Sequence, residues 1–138
     1  MPLRKTVLLL LAALLCMSTL AQAAQQEDMQ FVDANGATGF YVDVASIAFA
    51  DDNVVDARFA VIKAAQNRRY VYAARFDRQQ HTYQLFSSLV QQYDTKEVLE
   101  SKELNGAPLR YGLASPMKEI VDYIFQFKAS EAAQTGTN

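Results

Sequence analysis

Few residues of this chain could carry covalent or metal chemistry. It has one histidine, His81, and one cysteine, Cys16. A serine–histidine relay would have to run through His81, and no Gly-x-Ser-x-Gly elbow accompanies it. His81 follows Arg78-Gln79-Gln80, which reads as a turn, so an exposed turn histidine is the simpler reading. Zinc needs three or four His, Cys or carboxylate ligands, and no such set is spaced along the chain. Asp51-Asp52 resemble paired carboxylates but lie in a turn, where Asp commonly bonds its own backbone. Asp33-Ala34-Asn35-Gly36 begins like a calcium loop, but the later carboxylates of an EF-hand are missing, and Asn-Gly favours a tight turn. No glycine-rich loop opens a helix, so nothing is built to cradle phosphate. The chemistry on offer is that of contact, and the expectation is a protein that is not an enzyme and carries no cofactor.

The residues best suited to contact are Arg68, Arg69, Tyr70, Tyr72, Arg75 and Arg78. Arg and Tyr are favoured anchors in protein–protein interfaces. In an extended strand, Tyr70, Tyr72, Ala74 and Phe76 share one face, and Arg69, Val71, Ala73, Arg75 and Asp77 share the other. The arginines therefore read either as partner-binding groups or as the solvated side of a strand.

These residues need a scaffold, and the pattern along the chain supplies one. Met1 to Lys5 form a basic start, Val7 to Leu15 an apolar run, and Ala21-Gln22-Ala23 a small-residue cleavage site between Ala23 and Ala24. The expectation is an export signal over residues 1–23. The apolar run is too short for a membrane span. Cys16 lies within it behind Leu14-Leu15, not the small residue that a lipid-attachment site requires. Removing the signal takes away Arg4 and Lys5 and no acid, so the remaining chain is more acidic than the net −2 of the whole. A chain of that sign lacks the basic footprint that nucleic acid demands. Without cysteine it also lacks the disulfides that often brace small exported domains. Its stability must come from packing, for which Tyr and Phe supply bulk.

Residues 24–38 read as an N-terminal polar segment and turn: residues 24–30 are polar and mobile, Phe31 to Asp33 form a short strand, and Asn35-Gly36 a turn. Strands follow at Gly39 to Ile47, Val54 to Lys63, Arg69 to Asp77, His81 to Tyr93 and Glu97 to Leu104, each set off by turn residues. The period then changes. Ser115-Pro116 signal a helix start, and Met117, Ile120, Val121, Ile124 and Phe127 recur at helical spacing over about four turns. Glu119 and Asp122 beside Lys118 deny that helix the basic bias of a membrane-surface helix. Residues 130–138 read as a disordered tail.

Short connections favour antiparallel pairing. The expected fold is α+β: a twisted antiparallel sheet of five to six strands with one C-terminal helix on a face, spanning residues 39–129. Several strands are apolar on both sides, as with Phe59 and Val61 against Ala60 and Ile62. One helix covers one face only, so the other must curl, pair with a second copy as a homodimer, or bind something. A pocket between sheet and helix, lined by Tyr70, Tyr72, Phe76 and Ile124, could hold a small ligand. Haem is the conceivable case, with His81 or a tyrosine as axial ligand.

The chain resembles the surface-adhesin protein E family of Gram-negative bacteria. The likeness rests on Tyr41-Val42-Asp43-Val44-Ala45-Ser46-Ile47, on Asp52-Asn53-Val54-Val55, on Tyr93 to Ser101 (YDTKEVLES), and on Ser115-Pro116 opening the last helix. It covers about residues 39–127. It implies a small exported domain, in the periplasm or on the outer surface, that contacts host matrix or envelope proteins. Two departures stand out: the family's cysteines in the central strands and last helix are absent, and so is a working lipid-attachment site.

Overall fold

A computed structural model describes residues 26–136. The expected signal peptide and its Ala23-Ala24 cleavage point lie outside the described residues. Six strands follow one another in space as they do in sequence, each antiparallel to the next: β1 Met29–Asn35, β2 Thr38–Phe49, β3 Val54–Lys63, β4 Arg68–Asp77, β5 Thr82–Gln92 and β6 Val98–Glu103. A two-residue strand, β7 Leu109–Arg110, continues the β6 side of β5 by pairing with Thr82 and Tyr83. One helix, α1 Pro116–Thr135, packs on the sheet against β1 and β2. The architecture is the expected α+β sheet with a C-terminal helix. The sheet stays open, since β1 and β6 form its two ends.

Turn chemistry sets the hairpins. Asp51 accepts the N–H groups of Asn53 and Val54 at 2.7 and 2.8 Å, a local bond that turns β2 into β3. Asn67, His81 and Lys96 close three further turns in the left-handed region, and Gly36 does the same between β1 and β2 at φ 58°.

The strand period then sorts the side chains. Val42, Val55, Ala57, Phe59, Ala74 and Phe76 face the helix and meet Ile120, Val121 and Ile124. Phe76 and Ile124 are wholly buried, each contributing about 2–3 kcal/mol through the apolar area it removes from water. At the helix start the Ser115 hydroxyl accepts the Lys118 N–H, Pro116 fills the first turn, and Glu119 sits near the positive end of the dipole.

Two boundaries differ from the sequence reading. Of the segment expected to be mobile, the described part is structured: Glu27 and Asp28 are held by side-chain bonds, and β1 begins at Met29. Residues 130–135, expected within a disordered tail, are helical, because the helix continues to Thr135. Ala132 and Ala133 are strong helix formers. The hydroxyls of Ser130 and Thr135 bond carbonyls one turn back, at Phe127 and at Glu131 and Ala132.

Candidate functional site

The six Arg and Tyr residues do not form one surface. Arg69 and Arg75 point to the face that the helix leaves bare, while Tyr70 and Tyr72 share the helix side, where Tyr72 stacks on Phe59 with centroids 5.2 Å apart. Burial, and then Tyr70, push the Tyr72 hydroxyl above its usual pKa. Arg78 lies over the Phe125 ring of α1 at 4.1 Å. Arg68 folds back to donate to the Asn67 carbonyl at 3.1 Å.

Arg69 itself is neither a contact group nor solvated surface, whereas Arg75 and Arg78 are exposed. Arg69 is only 4% exposed. One nitrogen donates to the Gln91 Oε1 at 2.5 Å, another pairs with Glu27, and Gln91 in turn donates to the Lys96 carbonyl at 2.9 Å. It therefore pins the segment before β1 to β4, β5 and the turn after β5. Burial pulls its pKa below the usual guanidinium value. Arg75 is exposed but occupied: its Nε and Nη2 grip both oxygens of Asp56 at 2.7 and 2.9 Å. That hydrogen bond holds its pKa up.

The bare face carries two adjoining hollows. One, of about 470 Å³, is lined by Ala45, Ser46, Ala48, Arg58, Ala73 and Phe86. The second, of about 290 Å³, is lined by Met29, Arg58, Arg69, Ser87, Leu89 and Ser101. Both exist because the strands put Ala and Ser at their centres, where larger residues would fill the floor. Arg58 and Ala73 border both.

Arg58 is held from below. Its Nη2 and Nε reach the Asp43 Oδ2 at 2.6 and 3.1 Å. Asp43 is fully buried, and its other oxygen accepts the N–H groups of Asp28 and Ala45 at 2.9 and 3.2 Å. The ladder between β2 and β3 breaks between Asp43 and Ala48. Ser46 repairs it: its hydroxyl donates to the Asp43 carbonyl and accepts the Arg58 N–H, both at 2.7 Å. A second irregularity, opposite Ala73 and Ala74, leaves Phe86 as an extra residue on β5, with its ring 6.0 Å from the Arg75 guanidinium. Phe86 remains 38% exposed.

Sequence reasoning missed Arg58, Asp43 and Phe86. A signal for the first two was present: opposite charges near the centres of two neighbouring apolar strands have few comfortable arrangements except a cross-strand pair. Phe86 carried no signal, because a bulge cannot be read from alternation.

The expected ligand pocket between sheet and helix is filled. Tyr72, Phe76 and Ile124 pack into the common core there, with Phe76 and Ile124 at zero exposure. His81 sits exposed in its turn, edge-on to Tyr111 at 5.8 Å. Among the described residues no cluster of three His, Cys, Asp or Glu could hold a metal, and no helix is long and apolar enough to cross a membrane.

No family model, curated protein or solved structure matches the chain. The Tyr41 to Ile47 stretch is the bulged centre of β2 that builds the Asp43–Ser46–Arg58 knot.

Proposed function

We propose that this chain is an exported, non-enzymatic binding module, akin to surface-adhesin protein E, that takes a protein partner on the bare sheet face. The observation that carries the reading is the pair of open hollows bridged by Arg58 and rimmed by Phe86. They are partly open to solvent, and their lining mixes Ala, Ser and Arg, with the exposed Phe86 ring at the first. That surface suits a protein segment better than an enclosed small molecule. The interior that a carrier would use is occupied by the core. The leader-like pattern of residues 1–23 and the net acidic balance supply the remaining support, for export and for a partner other than nucleic acid.

The test begins with place. Protease treatment of intact cells, with osmotic-shock release in parallel, separates outer surface from periplasm. Binding to immobilised extracellular-matrix and plasma proteins is then measured by surface plasmon resonance for the natural chain and for Phe86→Glu. Phe86 is exposed, so the variant should fold and its melting point should stay close. Binding by the natural chain that falls at least tenfold in Phe86→Glu supports the reading. Binding that the variant leaves unchanged removes the bare face as the site, and a shielded, non-binding protein removes adhesion.

A further inference from the structure

The two ends of the sheet are treated differently. At one end α1 packs against β1. At the other, β6 has no neighbour beyond it among the described residues. Every residue from Tyr93 to Arg110 is exposed except Leu104, which is half-buried. An unpaired strand edge is a row of free backbone donors and acceptors and a template for another strand.

The hydrogen-bond alternation shows which groups that edge offers. Leu104 donates to the Phe86 carbonyl at 2.8 Å. The register pairs Ser87 with Glu103, Ser88 with Lys102, Leu89 with Ser101 and Val90 with Glu100. In an antiparallel ladder hydrogen-bonded and non-hydrogen-bonded pairs alternate. Lys102 and Glu100 therefore turn their backbone groups inward to β5, and Ser101 and Glu103 turn theirs outward.

We infer that the β6 edge is a self-pairing surface whose partner is a second copy of this chain, joined antiparallel about Ser101. Charge sets this register. Centred on Ser101, each Glu100 faces the other copy's Lys102, so two opposite-charge pairs form on one sheet face. Centring on Glu100, Lys102 or Glu103 would oppose like charges at the centre. Backbone geometry agrees independently, because Ser101 opposite Ser101 would be a hydrogen-bonded pair, both residues presenting N–H and C=O outward. The within-chain Lys102–Glu100 contact, at 2.5 Å, already holds the two side chains on that face. Val98 and Leu99, 54% and 44% exposed, flank the pairing stretch and supply apolar area beside it. The result is a twofold, closed dimer. Its axis runs through the sheet, so both helices lie on one side and both bare faces on the other. This inference does not depend on the adhesin reading.

Sedimentation velocity on the full chain over a range of concentrations tests it, with three variants. Ser101→Pro removes an outward N–H that the single subunit does not use, and should give a monomer with an unchanged melting point. Lys102→Glu sets Glu against Glu twice and should weaken association about tenfold. The double exchange Glu100→Lys with Lys102→Glu restores opposite pairs and should recover the natural dimer. A natural chain that stays monomeric at high concentration overturns the proposal, even if it pairs with some other strand. So does a dimer indifferent to Ser101→Pro, or a double exchange no better than Lys102→Glu alone.

Discussion

Replacing Asp43 with alanine should cost about 3 kcal/mol of folding stability. Its carboxylate is fully buried and accepts four hydrogen bonds, two from Arg58 and one each from the N–H groups of Asp28 and Ala45. Breaking a buried ion pair by removing one partner generally costs 3–5 kcal/mol, because the other charge is left without compensation. Here the low end applies. The Arg58 side chain is 40% exposed, and Asp28 and Ala45 lie at the surface, so water can reach the abandoned donors. For a domain of this size the loss corresponds to a melting point roughly 12 °C lower. Arg58→Ala should cost a similar amount, because the carboxylate stays buried with two N–H bonds and no counter-charge. The double variant should then be little worse than either single one. Urea denaturation of the four proteins gives the cycle directly. A cost below 1 kcal/mol for Asp43→Ala, or costs that simply add in the double variant, would refute the assignment of Asp43 and Arg58 as one coupled unit.

Two other perturbations read different parts of the fold. Ile124→Ala removes a wholly buried side chain at the helix–sheet contact, and should destabilise by about 3 kcal/mol, measured by urea denaturation. Stability should also fall in alkali. Burial raises the Tyr72 and Tyr111 hydroxyls above their ordinary pKa, so their contribution is intact below pH of about 10 and is lost as pH rises through the higher folded values. Melting points between pH 8 and 11.5 should show this decline, with a shallower slope in Tyr72→Phe.

Much of the scaffold was legible because it follows local rules. The Asp51 turn, the Val54 to Lys63 strand, the Ser115-Pro116 start and the Ile120, Val121, Ile124 stripe all announce themselves through a turn residue, a cap or a period. β1 was harder. Its inward Val32 lies among Gln, Asp and Asn, and its pairing with β2 skips a residue between Phe31 and Asp33, so alternation is masked. The helix beyond residue 129 is exposed throughout and shows no apolar stripe, only the propensity of Ala and bonds from Ser and Thr hydroxyls. The candidate site was legible only in part. The Arg69 to Asp77 alternation correctly separated Arg69 and Arg75 from Tyr70 and Tyr72. It could not show that Arg69 is covered by a segment forty residues away in sequence, nor that Arg58 would stand between two hollows. Those facts depend on strand register, which is set by the whole sheet.

The helix packs on β1 and β2, and this has a consequence for how the protein comes into being. All the other major contacts join neighbours in sequence, so hairpins can form one after another as the chain emerges. The helix α1, which follows all the described strands, must then close over the first two. Until Ile120 to Ile124 arrive, Val42, Val55 and Phe76 have nothing to cover them, and the growing sheet is an oily, open-edged intermediate of the kind that aggregates. Burial of the core is thereby tied to the arrival of α1. A product truncated before α1 cannot hide the face by which quality-control proteases and chaperones recognise unfinished proteins.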